Sequence, residues 1–328
     1  MMSAITLAEA VTQAMAYEMQ QDNDVIVFGE DVGANGGVFR TTVGLLEKFG
    51  PDRVLDTPLA EAMIAGMAVG MATQGLKPIA EFQFMGFIYA GFDHILSHAA
   101  RMRSRTRGRL SCPIVFRAPY GGGIHAPEHH SESTEALFAH IPGIRVVIPS
   151  SPARAYGLLL ASIRDPDPVI FLEPKRIYRL TKQEVPDNGE ALPLDRCFIL
   201  KEGHDVTLIS WGAMLHETLQ AAKILENKGV SAEVIDVATI SPLDIETILT
   251  SIEKTGRCVV IHEAARTCGV GAEIIAQINE YALDFLLAPA QRVTGFDTVM
   301  PYFKNEKIYM PSCSQILEAV HLTMEYTS

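Results

Sequence analysis

Residues 54–91 read VLDTPLAEAMIAGMAVGMATQGLKPIAEFQFMGFIYAG. A short apolar piece ends at Asp56-Thr57-Pro58, Glu61 follows, and Ala62 to Ala72 holds only Ala, Gly, Met, Ile and Val. That run is too short for a bilayer, which needs about 20 residues. It predicts a helix apolar on every face, with small residues that let neighbouring backbones approach. Glu61 would then open a buried helix. The helix N-terminus favours its charge by about 0.3–1 kcal/mol. Burial disfavours the charge by several pK units at ~1.4 kcal/mol each. Desolvation wins unless something donates a hydrogen bond, so Glu61 is a functional candidate in want of a donor. An N-terminal cap or a buried ion pair is the plainer reading.

Outward from this stretch, the pattern alternates between short apolar strands and helices. Thr6-x-x-Glu9 is a capping box, with a helix running to about Gln21. The strand DVIVF (24–28) runs into Gly29-Glu30-Asp31-Val32-Gly33, the layout of the carboxyl edge of a parallel sheet, where ligands bind. A strand at 78–83 and a long helix at 86–102 follow. Arginines at 101, 103, 105, 107 and 109 align on one face if the segment is extended. They read as an anion or acidic-subunit contact, or as a solvated charge run.

A strand at 114–117 leads into PYGGGIHAPEHHSES, where three glycines precede His125, His129 and His130. The glycines permit backbone shapes closed to other residues. His-x-x-x-His-His matches no standard ligand spacing. An acid–base or substrate-orienting role is the sharper expectation, and surface histidines without a role the plainer one. Asp165-Pro166-Asp167-Pro168 is either an ordinary Pro-Asp turn or a set of carbonyls around a cation.

Residues 174–204 lack periodicity and read as a linker. Strands at 206–211, 232–237, 258–262 and 292–296 then alternate with helices. Ser241-Pro242-Leu243-Asp244 reads as a helix start with Pro at the first position. The fold class is therefore α/β, in two domains that are each a mostly parallel sheet flanked by helices: 1–180, a linker at 181–204, and 205–328.

The chain has 328 residues, 48% of them apolar, and a net charge of −12, which argues against nucleic acid or anionic membrane as partner. No signal peptide or membrane span is legible. Five scattered cysteines with no C-x-x-C pair suit a reducing compartment, so a cytoplasmic or organelle-matrix protein is expected. Gly269-Val270-Gly271 lacks the third glycine and the distal acid of a dinucleotide site. There is no H-E-x-x-H, P-loop or G-x-S-x-G.

VFGEDVG (27–33), GGVFR (36–40), DTPLAE (56–61), AEFQF (80–84), HSES (130–133) and RVVIPS (145–150) resemble the β subunit of the thiamine-diphosphate-dependent 2-oxoacid dehydrogenases, of the transketolase-like superfamily. That family includes the decarboxylating components of the pyruvate and branched-chain 2-oxoacid dehydrogenase complexes. The likeness continues through SWGAMLHET (210–218), EVIDVATISPLDIETI (233–248) and HEA (262–264), across essentially the whole chain.

The resemblance implies a pyrimidine-binding first domain and a transketolase C-terminal-like second one that serves subunit contacts. It implies that Glu61 contacts a ring nitrogen of the aminopyrimidine of thiamine diphosphate and thereby activates the thiazolium carbon. Phe87 stacks on the pyrimidine, and Gln83 lies on the cofactor side. His130 orients intermediates or aids acyl transfer to lipoamide, and Glu30 takes part in proton traffic. Carbonyls near Ile114, Ser162, Ile163, Asp165 and Asp167 match a structural potassium site of some members, although Pro166 and Asp167 depart from the usual Asn. No Gly-Asp-Gly occurs, so magnesium and the diphosphate fall to an α subunit in an α2β2 heterotetramer that docks on a lipoyl acyltransferase core. A single-chain transketolase-like enzyme and a non-catalytic scaffold are the alternatives. RVTGFDT and HEA lean towards branched-chain members, while the first domain fits pyruvate members equally.

Overall fold

The structure, a computed structural model, describes residues 4–327. Two compact units emerge: the described residues up to Tyr120 with Leu137–Leu194, and Gly121–Ala136 with Asp195 onward. The break after Leu194 and the transfer of residues 121–136 to the second unit differ from boundaries read off composition. A glycine-rich loop carries no composition signal of which core it joins.

In the first unit, β1 (Ala4–Ile5) precedes α1 (Leu7–Gln21). The Thr6–Glu9 capping box forms as expected, the Thr6 amide donating to Glu9 Oε2 at 2.7 Å. Then come β2 (Val25–Gly29), α2 (Leu45–Phe49), β3 (Val54–Asp56), α3 (Glu61–Thr73), β4 (Lys77–Glu81), α4 (Met102–Arg105) and β5 (Val115–Tyr120). The short helix α5 (Glu135–Ala139), whose first two residues belong to the second unit, is followed by β6 (Arg145–Val147), α6 (Pro152–Arg164), β7 (Val169–Pro174) and β8 (Gln183–Glu184), which pairs antiparallel with β1. Strands β6-β7-β5-β4-β2-β3 pair in that order, all parallel. Every residue of β2, β5 and β7 is buried, as uninterrupted apolar strands require when helices cover both faces.

The second unit adds β9 (Phe198–Lys201), β10 (Val206–Ser210), α7 (Leu215–Asn227), β11 (Ala232–Asp236), β12 (Thr239–Ser241), α8 (Ile245–Thr255), β13 (Cys258–His262), α9 (Val270–Ala282), β14 (Gln291–Thr294), α10 (Phe303–Tyr309) and α11 (Cys313–Met324). Its sheet runs β14-β13-β10-β11-β9, parallel except for β9. The expected linker at 181–204 is therefore not structureless. It holds β8 and the antiparallel edge strand β9, which is too short and too exposed to leave a periodicity.

Other local expectations also change. The helix expected over 86–102 is a 3-10 turn (Met85–Gly91), a π turn (His94–Ala99) and α4. Gly91 explains part of this, because a Cβ there would sit 2.8 Å from the Ala65 Cβ and 3.1 Å from the Glu61 carbonyl of α3. The arginine run is likewise helical and turned rather than extended, so its side chains diverge. Arg103 pairs with Asp167 at 2.7 Å and Arg105 donates to the Ser97 carbonyl. Asp244, not Ser241, caps α8, with Thr247 donating its amide to Oδ1. All five cysteines are free thiols, and no described helix is long and apolar enough to cross a membrane.

Candidate active site

At the carboxyl edge of the first unit's sheet, β2 ends at Gly29, and the chain turns through Glu30 and Asp31. Gly29 has φ +153°, and a Cβ there would overlap the Glu81 carbonyl of β4, so only glycine lets the strand end this close to its neighbour. Asp56, the last residue of β3, accepts the Gly33 amide at 2.6 Å and the Ala34 amide at 3.0 Å, which pins the acidic loop. Gln83 donates to Asp31 at 3.0 Å. Thr57 donates its amide to the Gly29 carbonyl, and its buried hydroxyl lacks a partner.

Glu61 begins α3 as expected, after an Ala60 N-cap that offers no side-chain hydrogen bond. It is half-buried rather than buried, which corrects the expectation. The buried residues of α3 are Ile64, Ala65, Ala68 and Ala72, a single face, whereas Met63 is 39% exposed and the preceding Leu59 77%. An all-apolar composition cannot say which face its own chain covers.

The buried acid of this edge is Glu30, 4% exposed. Neither carboxylate oxygen has a partner of ordinary hydrogen-bond geometry, although the Ala60 backbone amide is near enough to lower its proton affinity somewhat. Burial first, and the Glu61 carboxylate second, raise its proton affinity above that of an ordinary glutamate. Two carboxylates near enough to feel each other's charge thus sit by the start of a helix without a side-chain cap, one desolvated and one half-exposed. Phe87 stands half-buried in the 3-10 turn behind α3, its ring edge-on to Phe84 at 5.6 Å. Glu30, Glu61, Gln83 and Phe87 all belong to the first unit, and His130 belongs to the second.

Deeper in the same sheet lies a group that sequence reasoning missed. Arg117 of β5 is 1% exposed and pairs with Glu81 at 2.7 Å and with Glu173 of β7 at 2.5 Å. It also donates to Thr41 Oγ1, while the Tyr178 hydroxyl donates to Glu173 at 2.7 Å. A charged residue at a buried position in each of three largely apolar strands was the available signal.

The residues matched to a potassium site fall at the end of α6 (Ser162, Ile163), on the turn after it (Asp165, Asp167) and just before β5 (Ile114). Asp165 pairs with Arg145 at 2.8 Å and Asp167 with Arg103, while the Ile114 carbonyl accepts the Val169 amide. Ser162 donates its hydroxyl to the Leu158 carbonyl at 2.7 Å; Ile163 is buried on the same helix. Both carboxylates are paired with arginines, so any cation here would be held by backbone carbonyls. Among the described residues, no cluster of three His, Cys, Asp or Glu suits a metal.

In the second unit, buried acids hold the glycine loop and the segment that follows it. Glu306 of α10, 2% exposed, accepts the Gly123 amide at 2.8 Å, the His125 amide at 3.1 Å and His125 Nδ1 at 2.9 Å. Ser133 donates to Glu263 at 2.8 Å. Glu135, fully buried, accepts from the Trp211 indole at 3.2 Å, and burial with the nearby Glu263 charge pushes its carboxyl up to about 8. His262 stacks on Trp211 at 5.1 Å, and burial followed by the Arg292 charge takes its imidazole down to about 4. Gly271 packs on that ring: a Cβ there would lie 2.7 Å from His262 Nε2. Gly269-Val270-Gly271 thus serves helix packing against β13.

Residues 3–181 match the transketolase pyrimidine-binding domain and residues 195–316 the transketolase C-terminal domain. The chain is 52% identical over 315 residues to the pyruvate dehydrogenase E1 component subunit beta of Acholeplasma laidlawii, with 96% of each chain covered. It is 48% identical over 325 residues to the subunit of the same name from Bacillus subtilis (strain 168), covering 99% of this chain and 100% of that one. Among solved structures, a split gene transketolase described as an inactive beta4 tetramer superposes with a TM-score of 0.81 at 24% identity, covering 98% of this chain and 99% of that one. That likeness carries the fold alone.

Proposed function

The chain belongs to the β subunits of the thiamine-diphosphate-dependent 2-oxoacid dehydrogenases, and from that premise we propose that it carries the pyrimidine-side half of a pyruvate-decarboxylating site shared with an α subunit. Pyruvate is preferred over branched-chain 2-oxoacids because the relatives at 45–52% identity are named for pyruvate dehydrogenase. The observation that carries the reading is Glu30, a buried carboxylate without a partner, beside Glu61 at the opening of α3. A buried acid without a partner, next to a second carboxylate at the carboxyl edge of a parallel sheet, fits a ligand with a protonated ring nitrogen and an amine.

Thiamine diphosphate, when bound, supplies the carbon nucleophile and the electron sink for loss of carbon dioxide. This chain's residues do the rest of their half. Glu61 hydrogen-bonds the pyrimidine and biases its tautomer. Glu30, whose proton affinity burial raises, keeps a proton beside Glu61 and can exchange it. Phe87 offers a ring to stack on, and Gln83, tied to Asp31, walls the cofactor side. His130 attends acyl transfer to lipoamide. Magnesium and the diphosphate are left to the α subunit, since no Gly-Asp-Gly occurs. The apolar, exposed side of α3 with Leu59 and Met63 supports such a partner in an α2β2 assembly. Residues 1–180 serve as the pyrimidine domain and 205–328 as the docking and subunit-contact domain. A carbonyl-held potassium ion at 162–167 and a cytoplasmic location complete the proposal.

The test is reconstitution with an α subunit, followed by artificial-acceptor reduction with pyruvate, 2-oxoisovalerate and acetoin. Pyruvate is expected to support the highest kcat/KM. A preference for 2-oxoisovalerate would reassign the substrate, and no turnover with any 2-oxoacid would favour the scaffold alternative.

A further inference from the structure

The glycine loop at 121–130 carries three histidines, yet its shape is set from 180 residues away. Gly123 has φ +85° and His125 φ +60°, and the latter is a left-handed conformation that a residue with a Cβ adopts reluctantly. Something must hold it. Glu306 does so with both oxygens: Oε1 takes the Gly123 amide at 2.8 Å, and Oε2 takes the His125 amide at 3.1 Å and His125 Nδ1 at 2.9 Å. All of these residues lie in the second unit. A carboxylate only accepts, so the nitrogen facing it must carry a proton. The ring of His125 is otherwise 55% exposed and meets the ring of Phe303 edge-on, with centroids 6.1 Å apart.

We propose that Glu306 is a positioning residue for the site's glycine loop: it closes the 123–125 turn and fixes His125 as the Nδ1–H tautomer, leaving Nε2 as an outward-facing proton acceptor. The carboxylate–imidazole pair has the form in which a second group sets which ring nitrogen holds the proton. The proposal rests on the functional reading above only in taking this loop as part of the site.

Because the labelling below does not use turnover, its failure and the failure of that reading are distinguishable. Carbethoxylation by diethyl pyrocarbonate occurs at the unprotonated ring nitrogen. Its rate at each histidine is followed by peptide mass spectrometry on the full chain, with exposed His129 as internal reference. At pH 8.5, where imidazoles are neutral and the carboxylate acts only by polarising the ring, His125 in the wild type should react about tenfold faster than in Glu306→Gln, the worth of one hydrogen bond to a charged group. Glu306→Asp should restore part of that rate, and His129 should react alike in all three. Should Glu306→Gln fail to fold, Glu306→Asp alone still decides, because its shorter arm must slow His125 relative to His129. Equal His125 rates in wild type and in a folded Glu306 variant would overturn the proposal.

Discussion

Two groups of acids lie along the first unit's sheet, and they differ in what faces them. Glu81 and Glu173 are as buried as Glu30, but Arg117 sits between them with hydrogen-bond geometry to both. Among the described residues, Glu30 has no cation near it: the charges it feels are those of two other carboxylates, Glu61 and Asp31. The first group is self-sufficient and its charges hold strands together. The second is left incomplete by its own chain, and completing it is what binding does. Burial alone does not separate structure from function; whether the counter-charge is encoded in the same chain does.

The largest effect that would break this comparison is on stability. Arg117→Ala leaves Glu81 and Glu173 buried without their cation and should destabilise the chain by about 3–5 kcal/mol in denaturant unfolding. Glu30→Gln removes a group whose charge burial opposes, so stability should change by less than about 1 kcal/mol. If both variants were equally destabilised, the two groups would be alike and the distinction lost.

The second unit sharpens the point through pH. Glu135 titrates near 8 in the fold against 4.5 for an ordinary glutamate. Its folded form therefore binds more protons than the unfolded chain between those values, and stability is lost as pH rises through that window. Glu135→Gln should abolish this loss while keeping the Trp211 hydrogen bond, so the variant's melting temperature should gain on the wild type from pH 5 to 8. His262 acts at the other end: with its imidazole down to about 4, stability falls as pH drops from about 6.5 to 4. A smaller effect at Glu30 is catalytic. Glu30→Gln in the reconstituted enzyme should lower kcat by about tenfold, or ~1.4 kcal/mol, with KM for pyruvate little changed.

Much of this was legible in advance. Apolar strands alternating with capped helices announced two parallel α/β sheets, and the position of Glu61 at the start of α3 followed from the charge preceding an apolar run. The burial of that glutamate did not, because Ala62 to Ala72 is apolar all round and the chain covers only one side. The break-up of the helix expected over 86–102 was illegible for a related reason: the contact of Gly91 with α3 is a tertiary demand that local propensity does not express. Arg117, Glu173 and Glu306 act across 36 to 183 residues of sequence separation, and a single sequence gives no pairing signal at that range. The clamp on the glycine loop is visible only once α10 is placed.

The central claim is that Glu61 completes its hydrogen bonding on a cofactor held jointly with another chain. It is tested most directly by pyruvate-dependent acceptor reduction in the reconstituted pair, wild type against Glu61→Gln, with unfolding measured on both. A loss of about 10²–10⁴-fold in kcat, the usual worth of a proton-transferring side chain, with stability unchanged, is the result expected. Equal turnover by the two proteins, or full turnover by this chain without its partner, would contradict it.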